Sequence, residues 1–361
     1  MLKKIIVLLG FFTGFIGFSQ TLKAKLLDFK KQPIEGVKVF YDKSTVFTHT
    51  YNKGVFEIPI ITVIPNPKLI FYHPNYEIFE VSDTDNLRSE YYLRQKTDEI
   101  KISGLDSSLF SADEMYKAFR ENLLGKSLNA KNKKLNAAET NILNREILQF
   151  SFDTINHKLT ANASQALQIE NDALGYHIEY YLKDFEIEYS ADTLHDVFKD
   201  YTFINGYSLF KDIDGTKTKE REEAYERTLN YFFKQIVNEK YRKVKSKIFT
   251  DEKKIRLKKL FNVREIKNGI YKLSLKDKMY DFGDDGDFTF YIQPHYKVEG
   301  SRMYYMSFNT QYHVNKNNRV ILYKPDLLVD KYGNVLNEEY IDVSGEIIDI
   351  TLADMLPIDY N

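Results

Sequence analysis

Apolar and polar residues alternate with a period of two along much of this chain, the mark of strands with one buried face. Leu22, Ala24 and Leu26 alternate with Lys23 and Lys25. Val37 and Val39 flank Lys38, and Phe40-Tyr41 extends that run. Val55, Phe56 and Ile58 begin a strand after Asn52-Lys53-Gly54, which reads as a hairpin turn, and Leu69-Ile70-Phe71-Tyr72 is apolar throughout. Turns at Asp28 to Pro33 and at Pro65-Asn66-Pro67 punctuate the pattern. Short strands with Gly, Pro and Asn turns predict a small β-sandwich over residues 20–95.

The period changes beyond a linker at 96–108. Ser111 and Glu114 form a capping box, and Phe110 with Met115 forms a hydrophobic staple. Met115, Phe119, Leu123 and Leu124 make an apolar stripe that Gly125 ends, so a helix is predicted here. Strands are predicted over 147–152, 166–169 and 176–189. In the last, Tyr176, Ile178, Tyr180 and Leu182 alternate with His177, Glu179, Tyr181 and Lys183. Over 217–248 the apolar positions Tyr225, Leu229, Phe232, Phe233, Ile236 and Val237 recur at three and four, predicting a long helix. From 270 onward the pattern is β-like again, over 270–275, 287–292, 303–308 and 320–323, with a turn at Asp330 to Gly333. The expected fold is mainly β, of the α+β class: a β-sandwich followed by an α+β domain over 109–361 with one long helix on antiparallel sheet. No internal repeat or low-complexity segment is evident.

Ahead of the first strand, Lys3 and Lys4 precede an apolar run from Ile5 to Phe18, and Gly17 and Ser19 are small residues before Gln20. That layout predicts a secretory signal peptide over 1–19, cleaved before Gln20. The run is shorter than the roughly 20 residues a membrane span needs, and no charged stop-transfer flank follows. No later run approaches spanning length. The expectation is an exported protein, periplasmic, associated with the outer membrane or extracellular, with no transmembrane span after cleavage.

Composition sharpens this picture. The 361 residues allow two domains of ordinary size. Aromatic residues reach 15%, from 27 Tyr and 26 Phe, which favours strands. The net charge of −1, about −3 once Lys3 and Lys4 are removed, is not that of a nucleic-acid binder. There is no cysteine. That excludes disulfides, lipid modification after the signal, thiol catalysis and thiolate metal sites.

Lys23 to Leu26, Pro33-Ile34-Glu35-Gly36-Val37-Lys38-Val39, Thr48 to Thr50 and Asn52-Lys53-Gly54-Val55-Phe56-Glu57-Ile58 together resemble the carboxypeptidase-regulatory-like domain. The resemblance implies a transthyretin-like β-sandwich, common at the front of exported Bacteroidetes proteins. The family's usual Asp before the turn glycine is Lys53 here, and His73-Pro74-Asn75-Tyr76 stands where the family has Ser or His, then Gly-Tyr. The remainder resembles the uncharacterised downstream region of such proteins. The matching pieces are Phe119 to Gly125 with Asn129-Ala130, Leu167 to Asn171 with Leu174 to Ile178, Arg221 to Tyr225, and Met355 to Tyr360. Family members often continue the Ala-Tyr pair with Gly-Ser and later His-Phe; here those places hold Arg227-Thr228 and Tyr231-Phe232. Kinship of fold does not transmit carboxypeptidase activity. Arg120, Asn129, Asn171 and Tyr225 are the polar positions that match the family pattern. They are the candidate residues, functional or structural.

Chemistry motifs are sparse. None of the seven histidines sits in a His-x-x-Glu or His-Glu-x-x-His pattern. His73 with Glu77, and His295 with Glu299, are four apart in strand-like sequence, which separates them by about 13 Å. Asp277, Asp281, Asp284, Asp285 and Asp287 cluster around Gly283 and Gly286, but the EF-hand spacing fails at Gly283 and Ile292, so they read as an acidic hairpin turn. No Gly-x-Ser-x-Gly occurs. A paired-carboxylate glycosidase has no positive signal. Ten cations fall between Lys240 and Lys259 against Asp251 and Glu252, a positive helix end that suits a solvated face or an anionic surface. The expectation is a non-enzymatic binding or scaffolding protein of the cell envelope without a cofactor or metal, whose partner is an envelope protein or polysaccharide. The alternative is a hydrolase with its site in 109–361.

Overall fold

The computed structural model describes residues 21–61, 67–82, 87–96, 109–125, 130, 139–243, 247–249, 254–267, 269–276, 288–293, 319–344 and 351–360. The expected signal peptide over 1–19, all but Lys96 of the expected linker over 96–108, the acidic stretch 277–287, the strand expected at 303–308 and Asn129 lie outside them. The fold is mostly β, with antiparallel sheets predominating.

Residues 21–96 form a β-sandwich. Its strands are β1 (Thr21–Asp28), β2 (Lys38–Tyr41), β3 (Phe47–His49), β4 (Val55–Pro59), β5 (Leu69–Tyr72), β6 (Phe79–Val81) and β7 (Glu90–Leu93). Sheet 1 has the order β4-β1-β7 and sheet 2 the order β3-β2-β5-β6. Strand β1 is antiparallel to β4 and parallel to β7. Leu22, Ala24 and Leu26 point inward from β1, as their alternation predicts, and meet Val39, Tyr41, Leu69 and Phe71 of sheet 2 in one core. The turn at 52–54 differs from the expected hairpin, because it carries the chain from sheet 2 to sheet 1. The crossing places Gly54 at φ +68, where a Cβ would lie 2.4 Å from the Leu26 carbonyl oxygen.

Residues 109–225 build a second core. Helix α1 (Ala112–Leu123) has the predicted capping box, with Ser111 Oγ accepting from the Glu114 N–H and Glu114 accepting from the Ser111 N–H. Its inward face, Met115, Ala118, Phe119 and Leu123, lies on sheet 3. That sheet comprises β8 (Thr140–Ile142), β9 (Leu148–Asp153), β10 (Lys158–Ala163), β11 (Leu167–Asn171), β12 (Tyr176–Tyr189) and β13 (Lys199–Asp212). The 14-residue β12 is its spine: β11 and β10 pair with successive parts of it, and β13 runs along most of its length. Gly125 ends the helical segment at φ +86, and Thr351 packs so close that a Cβ there would fall 2.2 Å from its Oγ1. The closing segment 351–360 thus returns to this core, burying Leu352 and Ala353.

The single helix expected over 217–248 is two short ones, α2 (Thr218–Tyr225) and α3 (Leu229–Val237). Thr228 ends the continuity: its backbone is extended and its side chain accepts from the Tyr231 N–H, capping a new helix. Among the described residues, the lysine-rich stretch beyond Val237 is turn, strand and one 3-10 turn over Leu257–Lys259 rather than a continued α-helix. It leads to β14 (Lys247–Phe249), β15 (Lys254–Ile255), β16 (Phe261–Lys267), β17 (Ile270–Leu275), β18 (Phe288–Gln293), β19 (Arg319–Leu322), β20 (Asp326–Asp330) and β21 (Ile341–Ser344). These form sheet 4, β15-β14-β18-β19-β21, and sheet 5, β16-β17-β20. Both sheets and α3 contribute to a third core around Phe233, Ile236, Leu260, Leu273 and Phe290. Among its described residues, the region 109–361 therefore houses two cores of its own.

The positive-φ glycines give a contrast that unfolding in urea can measure. Gly54→Ala meets backbone that cannot move aside and should lose about 2–4 kcal/mol. Gly36 has φ +74 but open space around its Cβ position. Gly36→Ala should lose only about 1–2 kcal/mol, the left-handed strain alone. Equal losses would contradict the close approach at Gly54.

Candidate functional site

The central strands of sheet 2, β2 and β5, are buried on both faces, and their outer face supplies the site. Phe40, Ile70, Tyr72 and Ile78 point away from the sandwich core and meet Ala166, Tyr181, Tyr207 and Leu209 of sheet 3. Tyr181 stacks on Phe40 with ring centroids 4.9 Å apart and tilts against Tyr72 at 4.5 Å. Backbone bonds extend the contact. The turn after β2 lies along β13, with Lys43 N–H donating to Ser208 O at 2.7 Å and Phe210 N–H donating to Ser44 O at 2.9 Å. The same turn holds the closing segment: Ile358 N–H donates to Lys43 O at 2.7 Å, and Thr45 N–H donates to Asp359 Oδ1 at 3.0 Å.

A polar cluster sits beside these aromatics. Glu179 of β12 is 5% exposed. Its carboxylate accepts from Lys38 Nζ of β2, from Lys211 Nζ of β13 at 2.5 Å, and from the Tyr181 hydroxyl at 2.6 Å. Burial pushes this carboxyl up, but the hydrogen bonds from Lys211, Lys38 and Tyr181 outweigh it and take the pKa down to about 2. His49 of β3 and His177 of β12 lie close enough to feel both lysines; burial first, then the lysine charges, lower both imidazoles. His177 pairs with Gln168 at 2.9 Å. A carboxylate so far below neutrality stays ionised near pH 7, and its donors on β2 and β13 join the two sheets at this point.

The candidate residues read from the sequence are links between chain segments. Arg120 donates through Nη2 to Ala130 O at 2.9 Å and Thr140 O at 2.8 Å, fixing α1 to β8. Asn171 is fully buried. Its Nδ2 donates to Ala353 O at 2.9 Å, and its Oδ1 accepts from Leu174 N–H at 3.1 Å. Thr140 stands opposite Asn171 in the β8–β11 ladder, so these two candidates share one seam. Tyr225 lies apart from them, edge-on to Tyr231 at 5.5 Å and to Tyr360 at 5.8 Å, with its hydroxyl pushed up to about 12 by burial.

Two residues matter more than their sequence context suggests. Arg221, 5% exposed, makes a bidentate pair with Asp212 at 2.8 and 3.0 Å. It also donates to Leu174 O and Gly175 O and lies 3.9 Å over the Tyr176 ring. One polar side chain inside α2 gave no sign of this. Glu179 stood on the polar phase of an alternating strand, and only the unbroken apolar runs Val39 to Tyr41 and Leu69 to Tyr72 hinted that something covers sheet 2. Among the described residues, no group of three or more His, Asp or Glu is arranged to hold a metal. His295, His313 and the Asp277–Asp287 cluster lie outside them.

Glu179→Ala should cost about 2–4 kcal/mol in unfolding experiments, less than a wholly buried pair because the Lys211 side chain is 37% exposed. The pH dependence has a defined sign. The low pKa of Glu179 adds stability that is complete above its ordinary 4.5 and lost as pH falls toward about 2. His49 and His177, held below their ordinary 6.5, oppose protonation in the folded state, so stability also declines as pH falls below 6.5. The groups facing this cluster are Lys38, His49, Tyr72, Glu170, His177, Tyr181 and Lys211. Near-ultraviolet circular dichroism at a series of pH values should show stability rising from about pH 2 to 6.5. Glu179→Gln should flatten the acid limb; an unchanged limb would contradict the cluster's role.

Compared with known proteins, the chain matches no family profile, no curated protein and no solved structure at a significant level.

Proposed function

We propose that this protein is an exported, non-enzymatic binding or scaffolding component of the cell envelope. Its sandwich is of the transthyretin-like, carboxypeptidase-regulatory-like kind. The observation that carries the reading is the use made of its buried and half-buried polar groups. Arg120, Asn171, Arg221 and Glu179 each tie separate chain segments together. Such groups give rigidity, which lowers the entropy lost when a fixed surface meets a partner. Among the described residues no helix is long and apolar enough to cross a membrane.

Fractionation of the native host, with N-terminal sequencing of the mature chain and cross-linking, tests this reading. The expected result is a start at Gln20, sedimentation with the outer membrane, and a specific cross-linked envelope protein or polysaccharide. A freely soluble periplasmic chain without a cross-linked partner would overturn it. Turnover of a peptide or glycoside substrate by that chain would establish the hydrolase instead.

A further inference from the structure

Eight of the ten cations between 240 and 259 lie among the described residues, on three elements that cover one core. Lys240, Arg242 and Lys243 lie exposed in the turn that follows α3. On the β14–β15 hairpin, Ile248 faces Ile255 across the ladder and both are buried. The alternation of strands then sends Lys247, Lys254 and Arg256 outward, and all three are exposed. Lys258 and Lys259 are exposed on the helical turn after the hairpin. Tyr241, Ile248, Leu257 and Leu260 anchor these pieces in the third core.

Some lysines elsewhere meet carboxylates, as Lys23 does Glu57, Lys158 does Glu186 and Lys272 does Asp326, while others, such as Lys25 and Lys183, stand singly among acids of the same surface. Among the described residues, no ion pair neutralises any of these eight cations. Glu239 is the only acid among the described residues between 239 and 260. Between 240 and 259 the sequence sets ten cations against Asp251 and Glu252, so a chain of net charge −1 concentrates positive charge on one stretch.

We infer that this face seats on a bilayer surface rich in anionic headgroups. The inference deepens the envelope reading above and rests on it for location. Six of the eight cations are lysines, which are mobile point charges on flexible stems. They do not supply the rigid bidentate forks that grip a single phosphate. They spread over a turn, a hairpin and a helical turn rather than converging. With almost no net charge on the whole chain and a screening length of about 8 Å, attraction needs direct contact with a dense, extended layer of negative charge. An anionic leaflet provides that layer.

The mature chain, mixed with large vesicles and sedimented, tests this. Vesicles of phosphatidylcholine alone are compared with vesicles containing about one-third phosphatidylglycerol. Binding should be confined to the anionic vesicles and should weaken steeply as salt rises from about 0.05 to 0.5 M. The combined variant Lys240→Glu, Arg242→Glu, Lys258→Glu and Lys259→Glu should lose at least about 100-fold in partitioning, since each surface cation contributes about five-fold. Its circular dichroism should be unchanged, because all four side chains are exposed. A control, Lys25→Glu, Lys30→Glu, Lys117→Glu and Lys183→Glu, alters net charge equally on other faces and should retain most of the binding. Equal binding to both vesicles, no binding, or an equal loss in the control would overturn the inference. So would capture by a soluble polyanion such as heparin without vesicle binding. A chain that fails on vesicles yet fractionates with the envelope leaves the broader reading standing. One that binds vesicles yet is freely soluble in the cell overturns the broader reading alone.

Discussion

The burial of β2 and β5, the central strands of sheet 2, on both faces is the constraint on which the rest depends. A four-residue strand such as β2 cannot hold Phe40 on one face and Tyr41 on the other unless both faces leave water. The sandwich core satisfies Tyr41, and sheet 3 satisfies Phe40 through Tyr181. A second consequence is electrostatic. Docking the sheets brings Lys38 and Glu179 out of water together, and the cost of burying each falls only because the other is there. Lys211 and Tyr181 complete the carboxylate's hydrogen bonds. The aromatic contact supplies the attraction, and the charge cluster restricts the docking to one registry.

The closing segment extends the same logic. Its Ile358 N–H and Asp359 bind the turn after β2, Ala353 accepts from Asn171, and Tyr360 meets Tyr225. One short stretch near the end of the chain therefore touches the sandwich, sheet 3 and α2. Gly125 shows how closely it fits, since even a methyl group there would strike Thr351. Motifs far apart in sequence thus meet through this segment, Asn171 at Ala353 and Tyr225 at Tyr360.

Local signals in the sequence reported what local physics decides. The alternation in β1, the capping box at Ser111 and the length of β12 were legible because neighbouring residues determine them. The helix expected over 217–248 failed for a local reason that periodicity hides. Apolar positions stay in step across the break at Thr228, while the cap of α3 interrupts the backbone between them. Lysines favour helices, so the stretch after Val237 looked like more of the same until β14 and β15 claimed it for sheet 4. The candidate site was less legible. Arg120, Asn171 and Tyr225 were picked out by resemblance, but their partners are carbonyls and rings up to about two hundred residues away, which no spacing rule encodes. Glu179 was hidden altogether, since a polar phase in an alternating strand ordinarily means solvent.

The most direct test of the account is hydrogen exchange at the amides of Lys43 and Phe210, the donors of the two backbone–backbone bonds that stitch the turn after β2 to β13. If sandwich and sheet 3 are joined as described, both amides exchange as slowly as those of β12 and lose protection together with it. Exchange at the rate of an exposed loop, while β1 and β12 each stay protected, would mean that the two units open independently and would contradict the account.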